Sequence, residues 1–238
     1  MKQAIVIALG GSLLSNKTGA ELTSWRLKIV ELVISLNDEG KKVIIIIGGG
    51  ELARKKIKDA IDLGLTDEHE LDLIGIESTR INAMNFLKLF SNTNIKFNQE
   101  IPHSIENGVS FLMDLDLIVM GGTVPGQTTD TVAIKFGEEI GAERVIVATN
   151  VSHVFTDDPR KNPTAKKIKS MSLNELGILS GVGAPIKPGS SFAVDPIGVG
   201  VAMSANLPLV ILNGDDVANL RKAINGETFE GTNVYGVN

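Results

Sequence analysis

Residues 121–130, Gly-Gly-Thr-Val-Pro-Gly-Gln-Thr-Thr-Asp, have the composition of a loop that binds phosphate. The apolar run Leu117–Met120 before them predicts a buried strand, and an amphipathic run from about Thr131 predicts a helix. Glycines let the backbone turn sharply and come close to a ligand. Hydroxyls and free N–H groups at the start of a helix suit an anion. The segment therefore predicts an anion site between a strand and a helix.

Two other predicted strands also end in glycine-rich turns, Gly10-Gly11-Ser12 and Gly48-Gly49-Gly50. In an open α/β sheet, ligands bind outside the carboxyl ends of the strands. One glycine pair alone is better explained as a tight strand-to-helix connection. Three such turns, two of them with hydroxyl residues, favour a site that surrounds a chain of phosphates with N–H groups and helix ends.

Several other kinds of site are disfavoured by the motifs. The sequence has no Gly-x-x-x-x-Gly-Lys-Ser/Thr, no Gly-x-Gly-x-x-Gly after the first strand, and no convincing hydrolase elbow. His69, His103 and His153 are scattered without the spacing of metal ligands, which favours exposed or structural roles. No metal site made of protein side chains is predicted.

The elements that must position these turns alternate between short apolar runs and longer helical patterns, which is typical of a parallel sheet covered on both faces. Strands are predicted over residues 4–9, 43–47, 115–120, 144–149, 208–212 and 231–234. Helices are predicted over residues 21–37, 51–63, 68–90, 131–140, 173–179, 195–205 and 216–224, and residues 151–169 are expected to be irregular. No linker or repeat interrupts the pattern, so one α/β domain over residues 1–238 is expected.

Composition narrows the class of protein further. The formal net charge of −5 argues against a general nucleic-acid binder, which normally carries a basic excess. The absence of cysteine removes disulfides and thiol chemistry and fits a cytoplasmic protein. No stretch approaches the roughly 20 apolar residues of a membrane span, and the N-terminus lacks a signal-peptide pattern.

Together these residues resemble the amino acid kinase family and, within it, the archaeal branch of UMP kinases. The resemblance covers nearly the whole chain, and its most specific element is Gly-Gly-Thr-x-Pro-Gly-x-Thr-Thr-Asp. It rests on residues 9–12, 47–54, 75–84, 121–130, 148–159, 189–191, 195–196 and 231–232. The resemblance implies a three-layer αβα sandwich around a mainly parallel sheet of about eight strands. We expect an acceptor-binding lobe over about residues 1–140 and an ATP-binding lobe over about 141–238.

The activity that the resemblance implies is transfer of the γ-phosphoryl group of ATP to UMP, with Mg²⁺ on the phosphates. Such an enzyme must align two anions and neutralise the charge between them. The implied UMP ligands are Gly49, Asp72 for the ribose hydroxyls, and a loop around uracil and the acceptor phosphate formed by Thr123, Val124, Pro125, Gly126, Gln127, Thr128 and Thr129. Arg80 is a weaker candidate, since an exposed arginine is the commoner outcome.

The resemblance also implies ATP ligands: Gly11, Ser12, Gly50, Arg54, Thr149, Phe155 and Asp158. Arg54 lies one turn into its helix, where its guanidinium could reach back to phosphate. Phe155 would form an apolar wall for adenine where relatives usually have Tyr, and Asp158 would accept a hydrogen bond from adenosine. Arg54 and Asp130 are the expected catalytic residues. Asp130 either caps the next helix or orders the catalytic cations.

The chain departs from the family at Ala8, where many members carry a lysine directed at the transferring phosphoryl group. The open candidates for the missing positive charge are Lys17, Lys166, Lys187 and a second Mg²⁺. We hypothesise that metal does most of this work. Val124, Gln127 and the pair Ser152-His153 also differ from the usual residues, at loop positions that tolerate substitution.

Two other functions stay open from the sequence. One is another phosphotransferase of the family, acting on acetylglutamate, carbamate or isopentenyl phosphate. The other is a nucleotide-binding protein of the same fold without turnover, which the loss of lysine at Ala8 favours. Relatives in the UMP kinase branch form hexamers, and exposed apolar side chains for such assembly are expected on the helix over residues 25–36.

Overall fold

The computed structural model describes residues 3–184 and 194–236. Its strands are β1 (Ala4–Leu9), β2 (Lys42–Ile47), β3 (Leu117–Met120), β4 (Val145–Thr149), β5 (Val154–Phe155), β6 (Lys167–Ile168), β7 (Ser170–Ser172), β8 (Leu209–Asn213) and β9 (Thr232–Tyr235). Its α-helices are α1 (Gly11–Ser15), α2 (Gly19–Asp38), α3 (Gly50–Asp62), α4 (Glu68–Leu87), α5 (Ile105–Ser110), α6 (Thr129–Glu139), α7 (Leu173–Ser180), α8 (Pro196–Ser204) and α9 (Val217–Ile224).

The main sheet has the strand order β3-β2-β1-β4-β8-β9-β7. Its pairs from β3 to β8 are all parallel, and β9 pairs antiparallel with β8. The expectation of about eight strands in this sheet is therefore corrected to seven within the described residues. The difference arises where β5 and β6 turn away as a separate antiparallel ribbon.

Helices cover both faces of the sheet, as the α/β pattern predicts. The chain moves in one direction from β1 through β2 to β3, and then returns through α6 to β4 on the other side of β1. Because parallel crossovers are right-handed, this reversal places α6 on the face opposite α2 and α4. On the α6 side, α8 packs against α6 and α7 against α8; on the other side, α9 packs against α2. The result is the predicted αβα sandwich.

The core forms where continuous apolar runs enter the centre of this sheet. The apolar stretch of β2, residues 43–47, is completely buried because helices cover both of its faces. The apolar side chains of α2 pack into the same core, so the expectation that this helix exposes them for assembly is wrong. Those buried side chains are Trp25, Ile29, Leu32, Val33 and Leu36, whereas Leu27 on the same helix is 58% exposed.

The remaining helices and strands are confirmed to within a few residues, except for several short elements that the sequence prediction missed and for the end of one helix. The sequence prediction missed the short helices α1 and α5 and the short strands β5, β6 and β7. The predicted helix over residues 68–90 ends as an α-helix at Leu87 and continues as a 3₁₀ turn over Lys88–Phe90. Within residues 3–184 and 194–236, none of the helices combines the length and apolar character needed to cross a bilayer.

Candidate active site

The three glycine-rich turns lie on one edge of the sheet, as predicted. Each follows a strand of the parallel set, and the register pairs Leu9 with Ile47, and Ile46 with Met120. Parallel strands end at the same edge, so their carboxyl ends bring the turns together. The chain reverses its direction across the sheet between β1 and β4, which is where open α/β sheets place their ligands. At this point the Gly10 N–H donates to Ala148 O at 2.9 Å.

The first two turns touch through their backbones. A Cβ added to Gly11 would lie 2.1 Å from Gly50 N, and one added to Gly48 would lie 2.4 Å from Gly11 N. Gly50 also has a φ of +58°, which disfavours any other residue. These glycines are needed for close approach, and the starts of α1 and α3 are held side by side.

The third loop, residues 121–130, packs its glycine pair against α4. A Cβ on Gly121 would lie 2.4 Å from Thr79 Oγ1, and the Gly122 N–H donates to that same oxygen at 2.6 Å. Further along the loop, the Gly126 N–H donates to Asp72 Oδ2 at 2.7 Å. The loop is thus attached to α4 at both its beginning and its middle.

A cleft of about 320 Å³ lies between this loop, α4 and the start of α3. Its lining includes seven of the residues predicted to bind UMP: Gly49, Asp72, Val124, Pro125, Gln127, Thr128 and Thr129. Two residues predicted for ATP, Gly50 and Arg54, line the same cleft. Thr123 and Gly126 belong to the loop without lining the cleft. Five other residues line the cleft without having been predicted to bind a ligand. Three lie on α4 and two are small residues on α3 and in the loop: Gly75, Ile76, Thr79, Ala53 and Gly122.

The predicted ATP residues outside this cleft divide into two groups. Gly11 and Ser12 begin α1, directly against Gly50. Thr149 ends β4 close to Gly10, whose added Cβ would lie 3.6 Å from Thr149 Cα. Phe155 is half-buried in the β5–β6 ribbon. The structure thus places Gly11, Ser12 and Thr149 at the sheet edge and Phe155 on a separate element.

Asp158 is engaged with a neighbouring arginine. It accepts hydrogen bonds from the Arg160 backbone N–H, Nε and Nη2, each at 3.0 Å. Hydrogen bonding to Arg160 holds the pKa of Asp158 below its ordinary value. An adenosine ligand would therefore share this carboxylate with Arg160 or displace it.

Asp130 does not cap α6, so that alternative is corrected. The N-cap is Thr128, whose hydroxyl accepts from the Thr131 N–H at 3.2 Å, while Asp130 lies within the first turn. Thr128 has the extended backbone that an N-cap requires. Burial, together with the negative charge of Asp195, raises the pKa of Asp130 from 3.8 to about 7.

Asp195, to which the sequence interpretation gave no role, joins two helix starts. Its Oδ1 accepts from the N–H groups of Ile197 and Gly198, at 3.0 and 3.1 Å, which makes it the N-cap of α8. Its carboxylate also accepts from the hydroxyls of Thr128 and Thr131 at the start of α6. An Asp-Pro pair before an apolar helical run is the sequence signal that identifies such a cap.

The candidates for the missing positive charge have different surroundings. Ala8 is buried within β1. Lys17 is buried and paired with Asp215, and its Nζ lies 5.4 Å from the centre of the Trp25 ring. Lys166 is exposed on the ribbon. Lys187 and the predicted motif over residues 189–191 lie outside the described residues.

Comparison with known proteins agrees with this architecture. The sequence profile of the amino acid kinase family matches residues 3–213. The uridylate kinase of Methanocaldococcus jannaschii is 36% identical over 230 residues, covering 95% of this chain and 99% of that protein. The uridylate kinase of Methanococcus aeolicus is 36% identical over 210 residues, covering 88% and 90%.

Solved structures agree with the sequence comparisons. The crystal structure of uridylate kinase from Archaeoglobus fulgidus matches with a TM-score of 0.81 at 29% identity, covering 98% of this chain and all of that one. UMP kinase from Bacillus anthracis matches with a TM-score of 0.77 at 28% identity, covering 98% and 96%. The chain belongs to the amino acid kinase family.

Proposed function

We propose that this chain is a UMP kinase, which transfers the γ-phosphoryl group of ATP to UMP and releases UDP and ADP. The observation that carries the proposal is the cleft of about 320 Å³, in which the loop over residues 124–129 faces the N-terminus of α3 and Arg54. The similarity of nearly the whole chain to uridylate kinases supports UMP as the acceptor.

In the proposed reaction, a phosphate oxygen of UMP attacks the γ-phosphorus of ATP while the bond to the β,γ-bridging oxygen breaks. The protein must hold both anions in line and offset their charge. Gly49 and Gly50 at the start of α3 present backbone N–H groups and the positive helix end. Arg54 is exposed one turn further on and supplies a guanidinium to the phosphates. Arg54 thus stands between the donor and acceptor sides.

On the acceptor side, we propose that Asp72 binds the ribose and that Thr123 to Thr129 surround the uracil and acceptor phosphate. Asp72 has one oxygen bonded to the Gly126 N–H, and the other can accept from a ribose hydroxyl. On the donor side, Gly11, Ser12 and Thr149 contact ATP along the sheet edge, and Phe155 and Asp158 hold its adenosine. We also propose a division into two lobes near residue 140.

Mg²⁺ is the proposed cofactor, bound mainly through the ATP phosphates. Among the described residues there is no group of three carboxylate or imidazole side chains that could hold a metal. The carboxyl group of Asp130, beside Asp195, fits a cation that takes one or two carboxylates and keeps its remaining positions for phosphate and water. When bound, Mg²⁺ offsets charge on the phosphate oxygens. With the cap of α6 formed by Thr128, we propose that Asp130 acts in catalysis by ordering this cation.

We propose that the enzyme is a cytoplasmic homohexamer. Apolar side chains are exposed near the junction of α3 and α4, with Ile61 50%, Leu63 90% and Leu73 41% exposed, and burying them would favour association. Light scattering coupled to size-exclusion chromatography measures the assembly directly. A monomer at micromolar concentration would contradict this part of the proposal and leave the activity untouched.

A coupled assay with ATP tests the proposed activity against the alternatives within the fold. We expect turnover with UMP, and little with CMP, acetylglutamate, carbamate or isopentenyl phosphate. UMP should also raise the melting temperature, because a ligand that binds only the native protein stabilises it by mass action. Turnover with another acceptor would assign a different phosphotransferase, and stabilisation by nucleotides without turnover would assign a binding protein.

The source of the positive charge is tested separately. We expect turnover to require Mg²⁺ and Lys187→Ala to keep measurable activity. Activity that is independent of Mg²⁺ but abolished by Lys187→Ala would show that the lysine, and not metal, offsets the charge.

A further inference from the structure

We propose that Arg80 is a positioning residue for the acceptor loop, which it holds from α4 without lining the substrate cleft. The expected effect on UMP binding rests on the proposed function, whereas the anchoring of the loop by Arg80 does not. Arg80 Nε donates to Gly122 O and Arg80 Nη2 donates to Thr123 O, both at 3.2 Å. One planar guanidinium therefore fixes two consecutive carbonyls, which a flexible ammonium could not match.

The position of Arg80 distinguishes it from a ligand. Arg80 does not belong to the lining of the 320 Å³ cleft. It lines a separate groove of about 580 Å³, together with Glu77 on its own helix and His103 before α5. Arg80 is half-buried there, so its contact with the loop is protected from full competition by water. Arg80 can therefore affect UMP binding only through the backbone of the loop.

The geometry of the peptide bond gives this contact a direction. In a trans peptide the C=O of one residue and the N–H of the next point in opposite directions. Holding the carbonyls of Gly122 and Thr123 on the guanidinium thus directs the N–H groups of Thr123 and Val124 away from it. Val124 lines the cleft. Arg80 thereby preorganises backbone donors in the loop before a ligand arrives.

A second residue of the same helix makes an equivalent contact with the other acceptor-side turn. Asn82 Nδ2 donates to both Gly48 O and Gly49 O at 2.9 Å. Helix α4 thus donates hydrogen bonds to carbonyls of both elements, to the second turn through Asn82 and to the third loop through Arg80. Helix α4 sets the spacing of the two turns. Arg80 holds the loop through its carbonyls, whereas Thr79 and Asp72 of the same helix accept from its N–H groups.

The test compares Arg80→Met, which keeps an unbranched stem but removes the donors, with Arg80→Lys, which restores one donor group. In Arg80→Met we expect the KM for UMP to rise by about tenfold, since two hydrogen bonds from a charged group are lost. The KM for ATP should stay within about twofold, because the contact holds only the acceptor loop. Arg80→Lys should lie between Arg80→Met and the wild type.

Arg221→Met is the matched control, because Arg221 on α9 is also half-buried but pairs with Glu39 at the end of α2, outside the cleft. We expect the control to leave both KM values unchanged. If Arg80→Met raised both KM values equally, or lowered only the fraction of folded protein, the positioning role would be overturned. If Arg80→Met does not fold, the KM values for UMP and ATP are compared between Arg80→Lys and the wild type instead.

Hydrogen exchange without ligand separates this inference from the proposed function. We expect the backbone amides of residues 121–124 and 126–128 to exchange faster in Arg80→Met than in the wild type and in Arg221→Met. Faster exchange in a protein that did not phosphorylate UMP would overturn the proposed function and keep the anchoring. Unchanged exchange in Arg80→Met of an enzyme that phosphorylates UMP would overturn the anchoring and keep the proposed function.

Discussion

Gly11 and Gly50 are in direct backbone contact, so that the first and second turns form one unit at the sheet edge. A Cβ on Gly50 would lie 2.3 Å from Gly11 O, and one on Gly11 would lie 2.1 Å from Gly50 N. Both partners are backbone atoms of short connections between β-strands and helices, which cannot rotate away as a side chain does. The distance between the start of α1, proposed for ATP, and the start of α3 is therefore fixed by glycine.

The first prediction concerns this contact. Gly11→Ala should reduce the free energy of unfolding by about 3 kcal/mol, at the upper end of what overpacking usually costs, because only backbone could yield. Separating the turns should also weaken ATP binding. Urea unfolding and titration calorimetry with ATP measure the two effects. Wild-type stability and affinity in Gly11→Ala would contradict the close approach.

Gly200→Ala is the control for this prediction. Gly200 lies in α8, and a Cβ there would meet only Val182 Cγ1 at an ordinary 3.7 Å. Replacing a helical glycine without a clash should stabilise the protein by about 0.5–1 kcal/mol. The two substitutions add the same methyl group and are expected to have opposite effects.

Long elements could be predicted from the sequence because their signals are local. The apolar runs that form β1 and β2 have no helical period, and their bounds agree with the structure to within one residue. Strands β5 and β6 have only two residues each and exist through pairing with each other. Such pairing depends on residues about 13 positions apart along the chain and leaves no periodic pattern. The sequence pattern therefore predicts an irregular segment over residues 151–169.

The site shows the same division between local and distant signals. The glycines and threonines of residues 121–130 predict the anion-binding loop, because glycine allows sharp backbone turns and threonine supplies hydroxyl groups for hydrogen bonds. The contacts of Arg80 and Asn82 join residues more than 30 positions apart, which no single segment reveals. Asp130 is a possible cap in the sequence because the helix is predicted to begin at about Thr131, but Thr128 two positions earlier is also a capping residue type. Only the extended backbone of Thr128 decides between them.

The second prediction separates two roles of Asp72. Because Asp72 Oδ2 accepts from the Gly126 N–H at 2.7 Å, Asp72→Ala should release the loop as well as lose the ribose contact. The KM for 2′,3′-dideoxy-UMP, which lacks both ribose hydroxyls, should rise by about fivefold from the loop alone, and the KM for UMP should rise further. Steady-state kinetics with both acceptors gives the comparison.

Asp72→Asn is the matched variant, because its amide oxygen can still accept from Gly126. We expect the KM for 2′,3′-dideoxy-UMP in Asp72→Asn to stay near the wild-type value. If Asp72→Ala changed only the kinetics of UMP, Asp72 would act on the ribose alone and the contact with Gly126 would be unimportant.

The third prediction assigns Lys17 to stability. The Lys17 side chain is 6% exposed and the Asp215 side chain is 39% exposed. Lys17→Met removes one partner of this pair and should cost about 2 kcal/mol, less than for a fully buried pair because Asp215 reaches water. The kcat should change by less than about threefold, since Asp215 already offsets the lysine charge. A hundredfold loss of kcat at unchanged stability would instead identify Lys17 as the missing cation.

The fourth prediction follows from the pKa of Asp130, which burial and Asp195 raise from 3.8 to about 7. A carboxyl group with a raised pKa in the folded state favours folding while it is protonated, below about pH 4. This stabilisation is lost as the pH rises through about 7, where the folded protein must ionise Asp130 beside Asp195.

Asp130→Asn avoids this ionisation, so it should be more stable than the wild type at pH 8 by about 2 kcal/mol, allowing for partial contact of Asp130 with solvent. The difference should shrink towards zero as the pH falls to about 4. Urea unfolding at pH 4, 6 and 8 measures it. Glu139→Gln removes an exposed carboxylate from the same helix and should follow the wild type at each pH. An Asp130→Asn protein that is no more stable than the wild type at pH 8 would show that Asp130 ionises without penalty, and the repulsion between Asp130 and Asp195 would then have no part in the pH dependence.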